Sequence, residues 1–396
     1  MSGAGGRNYL AIPGPSVMPE AVLRAMHRTA PNIYEGELPD MMPSLIAGLK
    51  GVARTEAFAT IYIGNGHAAW EAALSNIVAE GDTVLGVING HFGRGWAKVA
   101  EGLGVDVVPL ECGLTAPVAG EALEAALRAD RAGKIKAVLC THVDTSTSVK
   151  NDIALIRKAI DAAGHDALLA VDCIASLGCD VFEMDAWGVD VMVAASQKGL
   201  MVPPGLGFVF YSEKAASVRS RMARVSHYWD WTPRGTPEAF WQYFAGTAPT
   251  HHLYGLQVSL DMLHSEGMEA VWARHATLAQ AIWAACDAWG QGGPLTLNVP
   301  EVAHRSCAVT SLHIGKTVGK RLRQWTEGEA GVTLGIGLGM STADDPAGDG
   351  FFRIGHMGHV NASMIMGALG SIEAGLAALQ VPRGAGALDA AAQVLA

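Results

Sequence analysis

The sequence predicts an α/β fold: a mainly parallel sheet with helices on both faces, followed by a smaller C-terminal α+β domain. Three observations predict it. Short β-rich runs alternate with helical patterns from about residue 58 onward. Several of these runs are continuously apolar, as strands covered on both faces must be. At 396 residues the chain exceeds the roughly 250 to 300 residues at which a single core stops growing, so two unequal domains follow.

In chain order, Ala59–Ile63 reads as a strand that runs through the turn Gly64-Asn65-Gly66-His67 into a helical Ala68–Leu74. Thr83–Ile88, Val105–Val108, Ile135–Leu139, Ala167–Val171 and Val189–Val193 read as further strands. Between them, Asp152–Ile160 places Ile153, Ile156 and Ile160 on one helical stripe. Pro203-Pro204-Gly205 forces a turn before the strand Gly207–Tyr211. His227–Phe244 contains Trp229, Trp231 and Trp241 with Pro233, Gly235 and Pro237; lacking a period, it reads as a long loop lining a cleft or an interface. One helical stretch from about Leu253 to Trp289 then leads into a second strand-and-helix region. The predicted division is an N-terminal arm over 1–15, a large domain over 16–265 and a small domain over 266–396, with the Gly- and Ala-rich tail from Gly384 fraying.

Composition narrows the function. A net charge of -10 disfavours a nucleic-acid binder, whose nonspecific affinity comes from clustered Lys and Arg. Met1–Arg7 are small and polar with no apolar signal core behind them, which predicts cytoplasmic residence. The apolar stretch Val360–Val381 is interrupted by Asn361, Ser363, Ser371 and Glu373, so a buried helix is predicted and no membrane partner. Cys112, Cys140, Cys173, Cys179, Cys286 and Cys307 show neither zinc spacing nor disulfide density and read as reduced thiols. His251-His252 has no acidic partner at ligand spacing, so packing or hydrogen bonding is expected there and no metal.

Asp172 closes one apolar strand and Lys198 follows the next within a few residues. Functional groups of open α/β sheets gather at the carboxyl ends of strands, so both side chains should reach one crevice. Singly, Asp172 reads equally well as a helix cap and Lys198 as a surface lysine. Together they supply what pyridoxal phosphate requires, an amine for a Schiff base and a carboxylate against the pyridine nitrogen. Gly64-Asn65-Gly66-His67 is by itself an ordinary turn; ahead of a helix it offers a phosphate unpaired N–H groups and the positive dipole end. Arg353, embedded in Phe351-Phe-Arg-Ile-Gly-His-Met-Gly358, either pairs with an acid or clamps a substrate carboxylate with its fork.

These residues carry a resemblance. The chain resembles the class V aminotransferases of fold type I, in their alanine/serine–glyoxylate branch, through Ile12-Pro-Gly-Pro15, Gly64–His67, Asn89-Gly-His-Phe92, Thr141–Thr147, Val171-Asp172, Ser196-Gln-Lys-Gly199 with Pro203–Leu206, and Arg353-Ile-Gly355. The resemblance implies a seven-stranded-type sheet and a homodimer with active sites at its interface. It implies that Lys198 tethers pyridoxal 5'-phosphate, Asp172 holds the pyridinium nitrogen, and Phe92 and Ile174 cover the two ring faces. Thr145 would lie beside the ring's substituents; Gly66, His67 and Gln197 would bind the phosphate, with Asn65 in the same cofactor turn. Thr247 would reach the neighbouring subunit's phosphate, and Arg353 would clamp the substrate's α-carboxylate near the Pro13-Gly14 backbone. Phe244 departs from the tyrosine common at its position, and His227, Tyr228 and Arg234 map onto no donor specificity.

The implied reaction moves an amino group from a small amino acid, serine or alanine favoured, to a small 2-oxo acid, glyoxylate or pyruvate; aspartate–glyoxylate specificity is the alternative. Cysteine desulfuration on the same scaffold needs a reactive cysteine on a mobile loop, whereas Cys286 lies in a helical pattern and Cys307 in a strand-like one, and Gln197 stands where desulfurases carry His. Nucleotide binding fares worse: Gly335-Ile-Gly-Leu-Gly339 has Met340 where a dinucleotide fingerprint needs glycine, and Gly315–Lys320 is one spacer short of a P-loop.

Overall fold

A computed structural model describes residues 5–396. Strand β1 (Tyr9–Ala11) precedes helices α1 (Glu20–Met26) and α2 (Glu37–Ala53). Strand and helix then alternate: β2 (Phe58–Gly64), α3 (Gly66–Ile77), β3 (Thr83–Ile88), α4 (His91–Gly102), β4 (Asp106–Glu111), α5 (Gly120–Ala129), β5 (Ile135–Thr141), α6 (Ile153–Ala162) and β6 (Leu168–Asp172). β7 (Val191–Ala195) and β8 (Gly205–Tyr211) are followed by α7 (Glu213–Ser220), α8 (Thr232–Gly235), α9 (Thr250–Glu266) and α10 (Met268–Gly290). The chain ends with β9 (Thr296–Leu297), β10 (Val309–His313), α11 (Val318–Ala330), β11 (Val332–Ile336), β12 (Phe351–Gly355), α12 (Ala362–Ala378) and α13 (Ala387–Leu395).

Seven strands form the large sheet in the order β2-β8-β7-β6-β5-β3-β4, and β8 runs antiparallel to both of its neighbours while the other pairs are parallel. Alternation along the central strands divides the core between two faces. Leu169, Val171, Met192 and Ala194 pack with Leu45, Leu123, Ile156 and Leu256 from α2, α5, α6 and α9. Leu168, Ala170, Val191 and Val193 pack with Trp70, Ala73 and Trp96 from α3 and α4. Continuous apolar runs are therefore obligatory in β6 and β7, since both faces are dry. The crossovers leave the carboxyl ends of β5, β6 and β7 side by side.

A second sheet runs β1-β11-β12-β10-β9, and the N-terminal strand joins it by parallel pairing of Tyr9–Ala11 with Val332–Leu334. The expected single helix over Leu253–Trp289 is two, because the chain breaks at Gly267 with φ 86°. Met268, Val271 and Trp272 belong to the large core, while Leu278 and the residues beyond it belong to the small one, so α10 threads both. The tail does not fray from Gly384: α13 docks on α10 and buries Ala387 and Ala391. The apolar stretch near residue 370 is α12, with Ile365, Leu369, Ile372 and Leu376 turned into the small core. No described helix is long and apolar enough to cross a membrane.

The Trp-rich segment is packed rather than loose. Trp231 stacks on Tyr211 at 4.2 Å, and the buried Arg234 donates to the carbonyls of Ile61, Tyr243, Tyr228 and Phe244. That guanidinium is a strut tying the segment to β2. His251 and His252 are likewise engaged with carbonyl oxygens, of Arg28 and Pro204.

Candidate active site

Lys198 sits on the loop that leaves β7. Ser196 braces this loop through Oγ to the Pro203 carbonyl (2.7 Å), and the amides of Met201 and Val202 return to the carbonyls of Lys198 and Ser196. The N-terminal segment closes over it: the Ser16 amide donates to the Gln197 carbonyl, and Ser16 Oγ donates to the Lys198 carbonyl. Lys198 Nζ donates to the Pro13 carbonyl, and its stem lies against Gly14, where a β-carbon would overlap Nζ and Cε. Gly14 also has φ +98°, so the position demands glycine on both counts. Burial, joined by the charge of Arg353, pulls the amine down to about 8.

Asp172 is the last residue of β6, and its carbonyl accepts from the His142 amide at the end of β5. Its carboxylate is buried and fixed by two donors, the Ile174 amide on Oδ1 (2.7 Å) and the Trp70 indole N–H on Oδ2 (3.0 Å). Burial pushes its pKa up to about 7; the two hydrogen bonds and Lys198 oppose the shift, and Asp144 adds to it. A buried acid and a partly buried amine thus both have their charged forms disfavoured at adjacent strand ends, and a protonated heteroaromatic ring beside Asp172 would supply the charge its carboxylate lacks.

The cofactor turn follows the same logic. Asn65 caps α3, its Oδ1 accepting from the His67 and Ala68 amides, and the first turn of α3 holds no acidic residue. A β-carbon on Gly66 would overlap the Ile174 side chain, so the backbone and that apolar chain meet directly. His67 is exposed beside Trp70, and burial of part of its ring, followed by the charge of His91, lowers its pKa. Gln197 Oε1 is buried without a partner, a polar atom waiting for one.

Arg353 projects from the middle of β12. Its Nε donates to the Ile336 carbonyl (2.7 Å) and its Nη1 to the Thr145 carbonyl (3.0 Å). Among the described residues it forms no ion pair; Asp144 supports its charge from farther away, and burial draws its pKa down to about 10. Phe92 begins α4 and meets Trp70 edge-on at 6.4 Å.

Asp144 was not singled out by sequence and proves central. It is buried, and its Oδ2 accepts the amides of Phe92 (2.8 Å) and Gly93 (3.0 Å), capping α4 from another loop because the N-cap itself is Gly90. Its Oδ1 accepts from the amide and hydroxyl of Ser146. Asp144→Asn turns one accepting oxygen toward N–H donors as an NH2 group. The expected loss is about 2 kcal/mol of stability, read as a lower urea midpoint at constant m-value.

The structure therefore joins Gly14, Gly66, Phe92, Thr145, Asp172, Ile174, Gln197, Lys198 and Arg353 through direct or bridged contacts. Thr247 stands apart, exposed between Phe244 and α9, and Phe244 is a core residue. Trp70 and Ser16 are the other contributors that sequence reading passed over, and the Pro13 backbone, expected beside Arg353, meets Lys198 Nζ. Burial raises both Cys286 and Cys307 above the usual thiol range, so neither is a ready nucleophile. Among the described residues, no group of three His, Cys, Asp or Glu side chains is arranged to hold a metal.

A seven-stranded sheet carrying a partly buried lysine and a buried carboxylate at adjacent strand ends is the arrangement of the pyridoxal-phosphate enzymes of fold type I. The chain belongs to the class V aminotransferases, whose family model (Aminotransferase class-V) matches residues 47–342. It is 37% identical over 381 residues to a serine–glyoxylate aminotransferase of Methylorubrum extorquens, covering 94% of this chain and 91% of the relative. It is 34% identical to an L-aspartate–glyoxylate aminotransferase of Paracoccus denitrificans, covering 98% and 96%. Among solved structures, a ureidoglycine–glyoxylate aminotransferase from Bacillus subtilis superposes with a TM-score of 0.87 at 26% identity over 98% of both chains. Its substrates are accordingly an amino acid and a 2-oxo acid, and its cofactor is pyridoxal phosphate.

Proposed function

We propose that this aminotransferase takes its amino group from serine or alanine and delivers it to glyoxylate, with Lys198, Asp172 and Arg353 as the working residues. The carrying observation is the arrangement of those three: a near-neutral amine, a carboxylate fixed by two donors, and a buried guanidinium without a carboxylate of its own. When bound, pyridoxal phosphate supplies the electron sink that acidifies the substrate's α-hydrogen. Arg353 holds the α-carboxylate with the part of its fork that Thr145 and Ile336 leave open. With that group in place, Lys198 Nζ would be the base that accepts the substrate's α-proton and the acid that gives it back. The Pro13 carbonyl, already an acceptor for Nζ, orients the freed amine.

Asp172 would keep a proton on the pyridine nitrogen, and Gly66, His67 and Gln197 would hold the phosphate, with Asn65 shaping the same turn as the cap of α3. Phe92 and Ile174 would cover the ring, with Thr145 beside its substituents. The exposed Thr247 fits a homodimer in which each subunit completes its partner's phosphate site; cytoplasmic residence accords with the sequence. Glyoxylate as acceptor rests on the names of the relatives.

Two measurements test this reading. Donors serine, alanine and aspartate assayed against glyoxylate, pyruvate and 2-oxoglutarate should give the highest kcat/KM for serine or alanine with glyoxylate; preference for aspartate would overturn the small-donor assignment. Capture of pyridoxal phosphate by the apoenzyme should quicken about tenfold per pH unit up to pH about 8 and then level, because the neutral amine is the attacking form. A rate still climbing at pH 10 would mean that Lys198 is an ordinary solvated lysine.

A further inference from the structure

We propose that Trp70 is a positioning residue for the reaction: its indole N–H holds the Asp172 carboxylate in the orientation and ionised form that the pyridine nitrogen requires. The proposal rests on the reading that Asp172 faces that nitrogen. Trp70 lies one turn into α3, on the helix whose start forms the cofactor turn, and its Nε1 reaches Asp172 Oδ2 at 3.0 Å in a fully buried setting. The Ile174 amide occupies the other oxygen, so the two donors pin both ends of the carboxylate against rotation. The same ring touches His67 at 4.6 Å and Phe92 at 6.4 Å, which ties the cofactor turn, the stacking position and the carboxylate to one rigid plate.

A packing role alone does not account for that bond. Trp96 stacks on Trp70 at 6.2 Å and 15°, is equally buried, and leaves its own indole N–H without a partner, as do Trp231 and Trp272. Three buried indoles are thus tolerated unpaired while those of Trp70, Trp283 and Trp289 reach oxygens of Asp172, Thr310 and Glu373, so burial alone does not dictate the bond to Asp172. The charge on Asp172 needs the support. Burial and the nearby Asp144 on the loop after β5 disfavour it, and Lys198 is the cation that opposes them. Hydrogen bonds to the charged form favour ionisation.

The test uses 4'-deoxypyridoxine 5'-phosphate, which has the ring nitrogen and phosphate but no aldehyde to react with Lys198. Its dissociation constant is measured by equilibrium dialysis on the apoenzyme between pH 5.5 and 8.5, with thermal unfolding in parallel, for wild type, Trp70→Phe, Trp96→Phe and Asp172→Asn. Trp70→Phe should weaken binding roughly tenfold at neutral pH and move the acid limb of binding upward by about one pH unit. Trp96→Phe should lower the unfolding temperature and leave both binding quantities unchanged. Wild-type affinity and pH limb in Trp70→Phe, or the same shift in Trp96→Phe, would overturn the proposal. Undiminished binding by Asp172→Asn would instead overturn the assignment of Asp172 itself. Should Trp70→Phe not fold, the 15N indole spectrum of the wild-type protein decides: one N–H resonance must titrate with the acid limb and move in Asp172→Asn, and its absence refutes the bond.

Discussion

Lys198→Ala should lower transaminase turnover by at least about ten-thousandfold, the upper end of what a positioned acid–base group contributes alone. The proposed function gives this amine two tasks, tethering the cofactor and moving the α-proton. Its neighbours in the fold are Pro13, Gly14, Arg353 and Asp172, and the loop around it is closed by Ser16 and Ser196. On the proposed reading the phosphate is held at the start of α3 and at Gln197, so the variant should still bind pyridoxal phosphate, reversibly and without the absorbance of a lysine-bound cofactor. Stopped-flow absorbance and steady-state assays on the same preparation separate the two effects. Turnover near the wild-type rate would mean that another residue is the tether.

Arg353→Lys should lower kcat/KM for amino acids about a hundredfold, because a fork able to make two charge-assisted hydrogen bonds, each worth roughly 1.5 to 3 kcal/mol, is replaced by a single ammonium. Lysine keeps the positive charge, so charge alone is not what is removed. Nor can it satisfy both the Ile336 and Thr145 carbonyls that now hold the guanidinium in place. The decisive comparison is alanine against ethylamine, which lacks the carboxylate: the wild-type preference should collapse in the variant while the rate with ethylamine barely changes. An undiminished preference would show that the substrate carboxylate is bound elsewhere.

How far the sequence disclosed this molecule depends on the range of the interaction. The apolar runs that become β3, β5, β6 and β7 are self-contained signals, because the stretch of a strand that is dry on both faces must be apolar, leaving polar residues such as Lys136 and Asp172 to its ends. Lys198 and Asp172 were legible for a related reason, since chemistry at the end of a parallel strand follows from sheet geometry. Asp144 and Trp70 were not. The first acts on amides 51 and 52 positions away and the second on a carboxylate 102 positions away, and no local pattern encodes either meeting. The break at Gly267 was hidden because an isolated glycine is tolerated inside a helix. The Gly- and Ala-rich tail misled in the opposite sense: small residues that signal looseness in isolation are what allow α13 to lie close against α10.

The pairing of β1 with β11 sets an order on biosynthesis. As the nascent polypeptide leaves the ribosome, the large sheet can assemble from its own consecutive units, but Tyr9–Ala11 must wait as an unmatched edge until Val332–Leu334 has been translated. Pro13 and Ser16, which latch the Lys198 loop, follow directly after that waiting strand. The contacts that hold the Lys198 amine are consequently fastened only after more than three hundred further residues have been added to the chain.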